Sequence, residues 1–337
     1  MTVAAFPDIA PAQAPPEELG RSRSDVALLV ARRSDGGLEV ARFAELPRLL
    51  QPGDLLVVNT SATLAAAVPG RLDGADVVVH LSTPLDGDRW VVELRTGELA
   101  PIAHGRASAT IELPAGGAVT LLGPYRGSER LAEARLELPV GLAAYLARHG
   151  SPIRYPGSGR WPLDAYQTVF ARELGSAEMP SAGRPFTNEL VTELVSEGVL
   201  VAPLVLHAGV SSLERGEAPY PERYRVPAAT ARVVNAVRDG GGRVIAVGTT
   251  VVRALETVAD ATGRVSAGEG WTSLLVTPER GLRAADGLLT GWHEPESSHL
   301  ELLRAVGGAE LVERSYAAAL ERGYLWHEFG DVHLLLP

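Results

Sequence analysis

The sequence predicts an α/β body interrupted by an all-β insertion, and three observations carry that reading. After Leu163, helix and strand patterns alternate, which points to a layered α/β architecture. Between about Ala66 and Pro139, short β-rich runs recur between Gly, Pro or Asp clusters, as in a small antiparallel sheet or barrel. The chain has 337 residues, 46% of them hydrophobic, enough for two domains or one large one with an insertion.

The elements follow in order. Residues 1 to 24 are rich in Pro and Ala and read as an extended lead-in. Asp25–Arg32 and Leu38–Phe43 flank Gly36-Gly37 as a hairpin, a short helix over Ala44–Leu50 stops at Pro52-Gly53, and Asp54–Asn59 is a buried strand. The insertion contributes strands at Ala75–Leu81, Arg89–Arg95, Ala109–Leu113, Ala118–Leu122 and Ala132–Leu138. A helical pattern returns at Val140–His149, and Ser151–Pro162 is a linker. Helices are then expected at Leu163–Arg172, Asn188–Glu197, Ala228–Asp239, Val251–Asp260 and Ser298–Val306. Strands are expected at Val199–His207, Arg243–Val247, Trp271–Val276 and Val332–Leu336. This divides the chain into a discontinuous body, residues 1–65 and 150–337, and an inserted domain, 66–149.

Composition removes several chemistries. There is no Cys, so disulfides, a thiol nucleophile and Cys-ligated iron–sulfur clusters are out. All 31 basic residues are Arg, which removes the phosphate-loop lysine, the Schiff-base lysine and the kinase strand lysine. A net charge of −10 argues against loose nucleic-acid binding but leaves room for a local Arg patch. No apolar run approaches twenty residues, and Met1–Pro16 lacks a basic region before its apolar residues. A cytoplasmic protein is expected.

The strongest local signal is Arg243–Glu256, RVIAVGTTVVRALE. A strand ends at Val247, Gly248 permits a tight turn, and Thr249 or Thr250 can cap a helix whose free N–H groups favour an anion. The same pattern suits an ordinary capped turn, and no G-x-G-x-x-G stands there. A second signal, Asp286–Glu301, gathers Asp286, Thr290, Trp292 and His293 where a loop meets a helix, with Pro295 near its start and Ser298 and Glu301 as a capping box. His293 is a candidate general acid or base, or a hydrogen-bonded loop histidine. Glu222, within YPERY (220–224), is either a shielded carboxylate or exposed on a turn.

PSAGRPFT (180–187) and LHAGVSSL (206–213) read as turns at element ends, and G-x-S-x-G is absent. His293 and His299 stand six apart, as do His327 and His333, instead of the four that suits zinc on a helix. His327, Asp331 and His333 would share a face on a strand, but solvated or packed side chains are the expectation. No metal is expected.

Together the segments PGDLLVVN (52–59), YQTVF (166–170), PSAGRPFT, LHAG (206–209), RVIAVGTTVVRALE, DGLLTGWHEPES (286–297) and FGD (329–331) resemble the S-adenosylmethionine:tRNA ribosyltransferase-isomerase family of the queuosine pathway. The resemblance covers nearly the whole chain. It implies a distorted, barrel-like α/β body with an inserted antiparallel β-barrel. It also implies transfer and isomerisation of the ribosyl part of S-adenosylmethionine onto the aminomethyl group of 7-aminomethyl-7-deazaguanine in tRNA. The products are epoxyqueuosine-tRNA, adenine and methionine, with S-adenosylmethionine a co-substrate and no bound cofactor. Glu222 or Asp286 then becomes a base or sulfonium partner and His293 an acid. The Gly248–Thr250 turn with Arg253 becomes a methionine-carboxylate site. Asn59, Ser181, Gly183, Phe186, His207, Thr249 and Thr290 complete the expected substrate contacts.

The chain departs from the family pattern inside its motifs. Thr60-Ser61-Ala62 replaces an Asn/Asp-Thr-Arg triplet, and Ser181-Ala182-Gly183-Arg184-Pro185-Phe186 replaces T-A-G-L-H-F. LHAGVSSL loses a turn glycine, Glu222 alone survives from H-M-H-x-E, and Gly291 takes the Asn position of T-N-F-H-L-P. The closing F-F-S-Y-G-D reads Trp326 to Asp331. Three readings are open at this point: the family reaction on tRNA, use of S-adenosylmethionine with a small acceptor or its simple cleavage, and a non-catalytic binding role.

Overall fold

The computed structural model describes residues 10–103, 107–154, 159–210, 220–293, 298–326 and 328–337. The first nine residues of the lead-in, the middle of the expected linker, the end of LHAGVSSL, the Pro295 turn, the Ser298 side chain of the expected capping box and His327 lie outside the described residues.

Nine strands form the body sheet, in the order Gly268–Thr272, Glu222–Val226, Leu200–His207, Leu55–Asn59, Val244–Val247, Gly287–Gly291, Val332–Leu336, Ala27–Arg32 and Leu38–Arg42. The four strands from Leu200–His207 to Gly287–Gly291 run parallel. Leu55–Asn59 (LLVVN) is buried at every position, as a strand covered on both faces must be. Leu55 and Val57 point into a core built with helices Ala228–Asp239, Thr249–Val258, Ser298–Gly307 and Ala309–Glu321. Leu56 and Val58 point the other way, onto Phe43 of the 3-10 turn Phe43–Glu45, Leu46 of the short helix Leu46–Leu49, and Leu190 and Leu194 of the helix Asn188–Ser196.

The inserted sheet closes on itself. Strands Ala67–Leu72, Ala75–Pro84, Arg89–Arg95, Leu131–Glu137, Ala118–Pro124 and Thr110–Glu112 pair in sequence, and Glu112 returns to Arg71. Val68, Val79, Val92, Leu94, Ile111 and Leu121 fill the interior, and Tyr145 and Leu146 of helix Leu142–His149 pack with them. Ala67 and Ser151 exchange backbone hydrogen bonds of 2.9 Å, so the chain leaves and re-enters the body at one point.

Several elements differ from expectation. Leu163–Arg172 is no helix: only a 3-10 turn forms at Leu163–Tyr166. The Gln167 amide holds Thr63 from both sides, accepting from its N–H at 3.0 Å and donating to its carbonyl at 2.8 Å, which keeps the segment extended. Strands Glu222–Val226 and Gly287–Gly291 were not legible, because polar alternation and flanking glycines mask them. The edge strand expected at Trp271–Val276 lies at Gly268–Thr272, where its pairing with Glu222–Val226 fixes the register.

One buried charge cluster stiffens the barrel wall. The Glu93 carboxylate accepts from Arg130 Nη1 at 2.6 Å, Arg95 Nη2 at 2.7 Å and His80 Nδ1 at 3.0 Å. Burial pushes this carboxyl up, but the hydrogen bonds from His80, Arg95 and Arg130 and the Arg130 charge outweigh it and draw it from 4.5 down to about 2. A carboxyl lowered by folding stabilises fully above its unfolded value and loses that contribution as pH falls toward 2. Glu93→Gln is therefore expected to cost about 3 kcal/mol at pH 7. That deficit should shrink as pH falls from about 4.5, the starting value. Urea unfolding across that range checks it, and a pH-independent deficit would contradict the assignment.

Candidate active site

The carboxyl ends of the four parallel strands meet at one edge of the body, where α/β sheets commonly bind ligands. Those ends carry Asn59, His207, Gly248 and Thr290. The barrel reaches this edge as well: Ser82 Oγ accepts from Val210 N at 2.9 Å.

Gly248 makes the tight turn. Its φ of 101° and ψ of 151° suit glycine alone, and Val251 N and Val252 N both donate to its carbonyl. Thr249 and Thr250 begin the helix, and their own N–H groups have no acceptor among the described residues. Asn59 ties this turn to the neighbouring strand. Its Oδ1 accepts from Leu206 N and Ser61 N at 3.0 Å, while Nδ2 donates to Leu206 O at 2.8 Å and to Thr250 Oγ1 at 3.4 Å. The turn Ser181–Gly183 closes against the same place, where a Cβ on Gly248 would lie 3.5 Å from Ala182 and one on Gly291 3.9 Å from Ser181 Oγ. Gly183 faces backwards, onto Thr168 and Phe170.

One turn along the helix stands Arg253. Its Nη1 is paired with the buried Glu222 carboxylate, Nε donates to Leu274 O at 3.1 Å and Nη2 to Thr272 O at 3.3 Å. Glu222 Oε1 also accepts from Gly209 N at 3.3 Å. On the far side, Thr290 Oγ1 and His293 Nε2 are 2.8 Å apart, and Tyr316 OH donates to His293 O at 3.2 Å. The His293 and His299 rings pack with centroids 4.4 Å apart. Burial, helped by the Arg253 charge, pushes the His299 imidazole down to about 4, so it is neutral near pH 7.

His207 sits in a chain of hydroxyls. Ser61 Oγ lies 2.7 Å from His207 Nδ1 and 2.6 Å from Ser176 Oγ, which accepts from Ala208 N. Glu173 faces His207 Nε2 at 3.6 Å. Burial lowers the His207 imidazole, Glu173 opposes that shift, and Arg223 and Arg225 add to it. Sequence reasoning missed Ser176, Glu173 and His299. The first two come from a short strand, Glu173–Ser176, that begins just past the expected helix Leu163–Arg172 and has no sequence signal of its own; the sequence marks His299 only through its spacing to His293.

Two expected residues are elsewhere. Asp286 precedes its strand and so lies at the opposite end of the sheet. There its Oδ2 accepts from Val244 N at 2.8 Å, beside the Asp54–Arg243 pair. Phe186 is fully buried between Phe43 and Phe170, at centroid distances of 4.9 and 5.2 Å. It supports the Ser181 turn through the core and presents no surface to a substrate. Among the described residues, no group of three or more His, Asp or Glu could hold a metal ion. Asp331 takes the N–H groups of Ala27 and Leu325, and His333 stacks on Trp292 at 4.6 Å.

The body is thus an α/β protein whose mixed sheet gathers a helix start, a clamped guanidinium and a histidine at its carboxyl edge, the place where ligands bind in folds of this class. A family model described as "Queuosine biosynthesis protein" matches residues 5–335. The S-adenosylmethionine:tRNA ribosyltransferase-isomerase of Moorella thermoacetica is 38% identical, covering 96% of both chains. That of Symbiobacterium thermophilum is 37% identical over the same shares. The solved S-adenosylmethionine tRNA ribosyltransferase of Thermotoga maritima superposes with a TM-score of 0.55 at 27% identity, covering 99% of each chain. The chain belongs to the queuosine biosynthesis protein family.

Gly175 tests the His207 arrangement. A Cβ there would collide with the His207 ring at Nδ1. Gly175→Ala should expel the ring, raise its pKa toward the ordinary 6.5, and cost about 1–3 kcal/mol. A proton NMR titration and an unfolding curve read both; an unmoved titration would refute the packing.

Proposed function

We propose that this chain carries out the family reaction, moving and isomerising the ribosyl part of S-adenosylmethionine onto the aminomethyl group of 7-aminomethyl-7-deazaguanine in tRNA. Adenine and methionine are released. The observation that carries the reading is the pair of N–H groups at Thr249 and Thr250 that have no acceptor among the described residues, on the same edge as Arg253 and His293. The names of near-full-length relatives support the same reaction over a small-molecule acceptor or a binding role.

The roles follow from the contacts. The helix start at Thr249 and Thr250 receives the methionine carboxylate, with its dipole and N–H groups matched to an anion. Arg253 adds a positive charge whose direction Glu222 fixes. The Glu222 oxygens already serve Arg253 and Gly209 N, so Glu222 is a positioning residue that also puts negative charge near a sulfonium. Asp286 has no part in this. His293, held at Nε2 by Thr290 Oγ1, is the group placed to move a proton, and protonating adenine makes it a better leaving group. The sulfonium acidifies the neighbouring ribose C5′ hydrogens, so a modest base suffices.

Asn59, Ser181 and His207 line the approach, and residues 66–149 form an inserted domain whose Ser82 side meets the body at Val210. The described helices include none long and apolar enough to cross a membrane, and a tRNA acceptor supports the reading of a cytoplasmic protein.

Incubating purified protein with S-adenosylmethionine, with and without tRNA bearing the aminomethyl deazaguanine, tests the reading by mass spectrometry. Adenine release that requires the tRNA, with the matching gain in tRNA mass, is expected; release without tRNA would overturn the acceptor. In the same assay Glu222→Gln should raise KM for S-adenosylmethionine about 10-fold, the loss of roughly one charged hydrogen bond. His293→Gln should lower kcat about 100-fold with little change in KM. Full turnover by His293→Gln would remove it from the mechanism.

A further inference from the structure

The outer face of the sheet beside His207 holds a feature the catalytic roles do not use. Paired residues on neighbouring strands point to the same side, and Trp271 pairs with Arg223, which pairs with His207. The three side chains therefore form one row across three strands, about 10 Å wide. Trp271 is 46% exposed, although it is the largest apolar side chain on that strand, and Arg223 is exposed with no ion pair among the described residues. Arg225 stands one pair along, held by Glu173 at 2.5 Å, and Arg172 is exposed nearby, its N–H bonded to Thr60 O. An indole beside a guanidinium that has no ion pair among the described residues gives this face an aromatic and cationic character on a chain of net charge −10.

Single-stranded RNA loops are recognised by stacking unpaired bases on aromatic rings and guanidinium planes, while further arginines take the phosphates. The row also leads directly to the donor site: His207 is its inner end, and the same ring meets Ser61 beside Asn59. We propose that Trp271 and Arg223 are the stacking platform for the loop nucleotides flanking the modified base of the tRNA, with Arg225 and Arg172 as phosphate contacts. This rests on the acceptor reading above.

The test is binding of a fluorescent anticodon stem-loop RNA by anisotropy at several salt concentrations, alongside calorimetry with S-adenosylmethionine. Trp271→Ala is expected to raise Kd for the RNA about 5- to 100-fold, and Trp271→Phe to recover most of that loss. Arg223→Gln should reduce the slope of log Kd against log salt by about one. Both variants should bind S-adenosylmethionine as the parent does, because neither side chain faces the helix start.

Wild-type affinity for RNA in both alanine and glutamine variants would overturn the platform while leaving the acceptor reading intact. A parent protein that binds no RNA would overturn both together. A dimer seen by light scattering and dissociated by Arg223→Glu would assign the face to a second copy of this chain and overturn the proposal.

Discussion

The side-chain amide of Asn59 is the interaction on which the active edge depends. A parallel strand that ends must satisfy its last backbone groups without a further ladder. Here one amide does this for two strands, accepting from Leu206 N and Ser61 N and donating to Leu206 O. Its remaining hydrogen reaches Thr250 Oγ1, so the same group sets the spacing between the Leu200–His207 strand and the helix start at Gly248. The position of His207 against Ser61, and of Gly209 against Glu222, follows from that spacing. An apolar residue at 59 would leave four polar groups to find new partners at the carboxyl edge of the sheet.

Charge in this protein works by enclosure and pairing. Because every cation is a guanidinium, carboxylates can be gripped through two nitrogens in planar geometry. Asp54 holds Arg243 at the amino ends of the parallel strands, and Glu222 holds Arg253 at their carboxyl ends. Glu256, also fully buried, accepts from Arg280 Nη1 and from the N–H groups of Arg283 and Ala284 at 2.8 Å. It thereby fixes the loop that feeds the Gly287–Gly291 strand, and with it Thr290 and His293. The helix Thr249–Val258 thus carries N–H groups without an acceptor among the described residues at its first turn, an oriented cation at its second and a loop anchor near its end.

That division of labour explains what was legible in the sequence. RVIAVGTTVVRALE could be read because strand, glycine turn and amphipathic helix are local patterns, and its glycine has the positive φ that the turn requires. The alternating half and the barrel texture were legible for the same reason. Asp286 misled because proximity to Thr290 along the chain is distance in a strand: four residues of extended backbone, about 13 Å, separate the two ends. Phe186 misled because a motif residue can serve the core behind a turn as well as the site in front of it. Ser176, Glu173 and the extended Gln167 segment were hidden because long-range bonds to Thr63, Ser61 and His207 decide their conformation, and no local propensity records those partners.

The departures from the family pattern take a different meaning once placed. Arg184, at the Leu position of T-A-G-L-H-F, turns away from the substrate edge. Its Nη2 grips both oxygens of Glu17 at 3.0 and 3.1 Å, and its guanidinium lies over the Phe329 ring at 5.0 Å, so it ties the lead-in to the closing motif. Trp326 packs on Trp292 and Tyr316, while His333 stacks on Trp292. These exchanged side chains contact one another across different motifs. Decay would remove partners one at a time and leave holes or lone charges, each costing about 1–3 kcal/mol. Here Arg184, Trp326 and Trp292 find charge and ring partners behind the edge, although Trp292 Nε1, Trp326 Nε1 and both His333 ring nitrogens are buried without a hydrogen-bond partner among the described residues. In front of it Asn59 reaches Thr250, Arg253 pairs with Glu222, and Thr290 bonds His293. The changed side chains therefore act mainly in the aromatic packing behind the carboxyl edge.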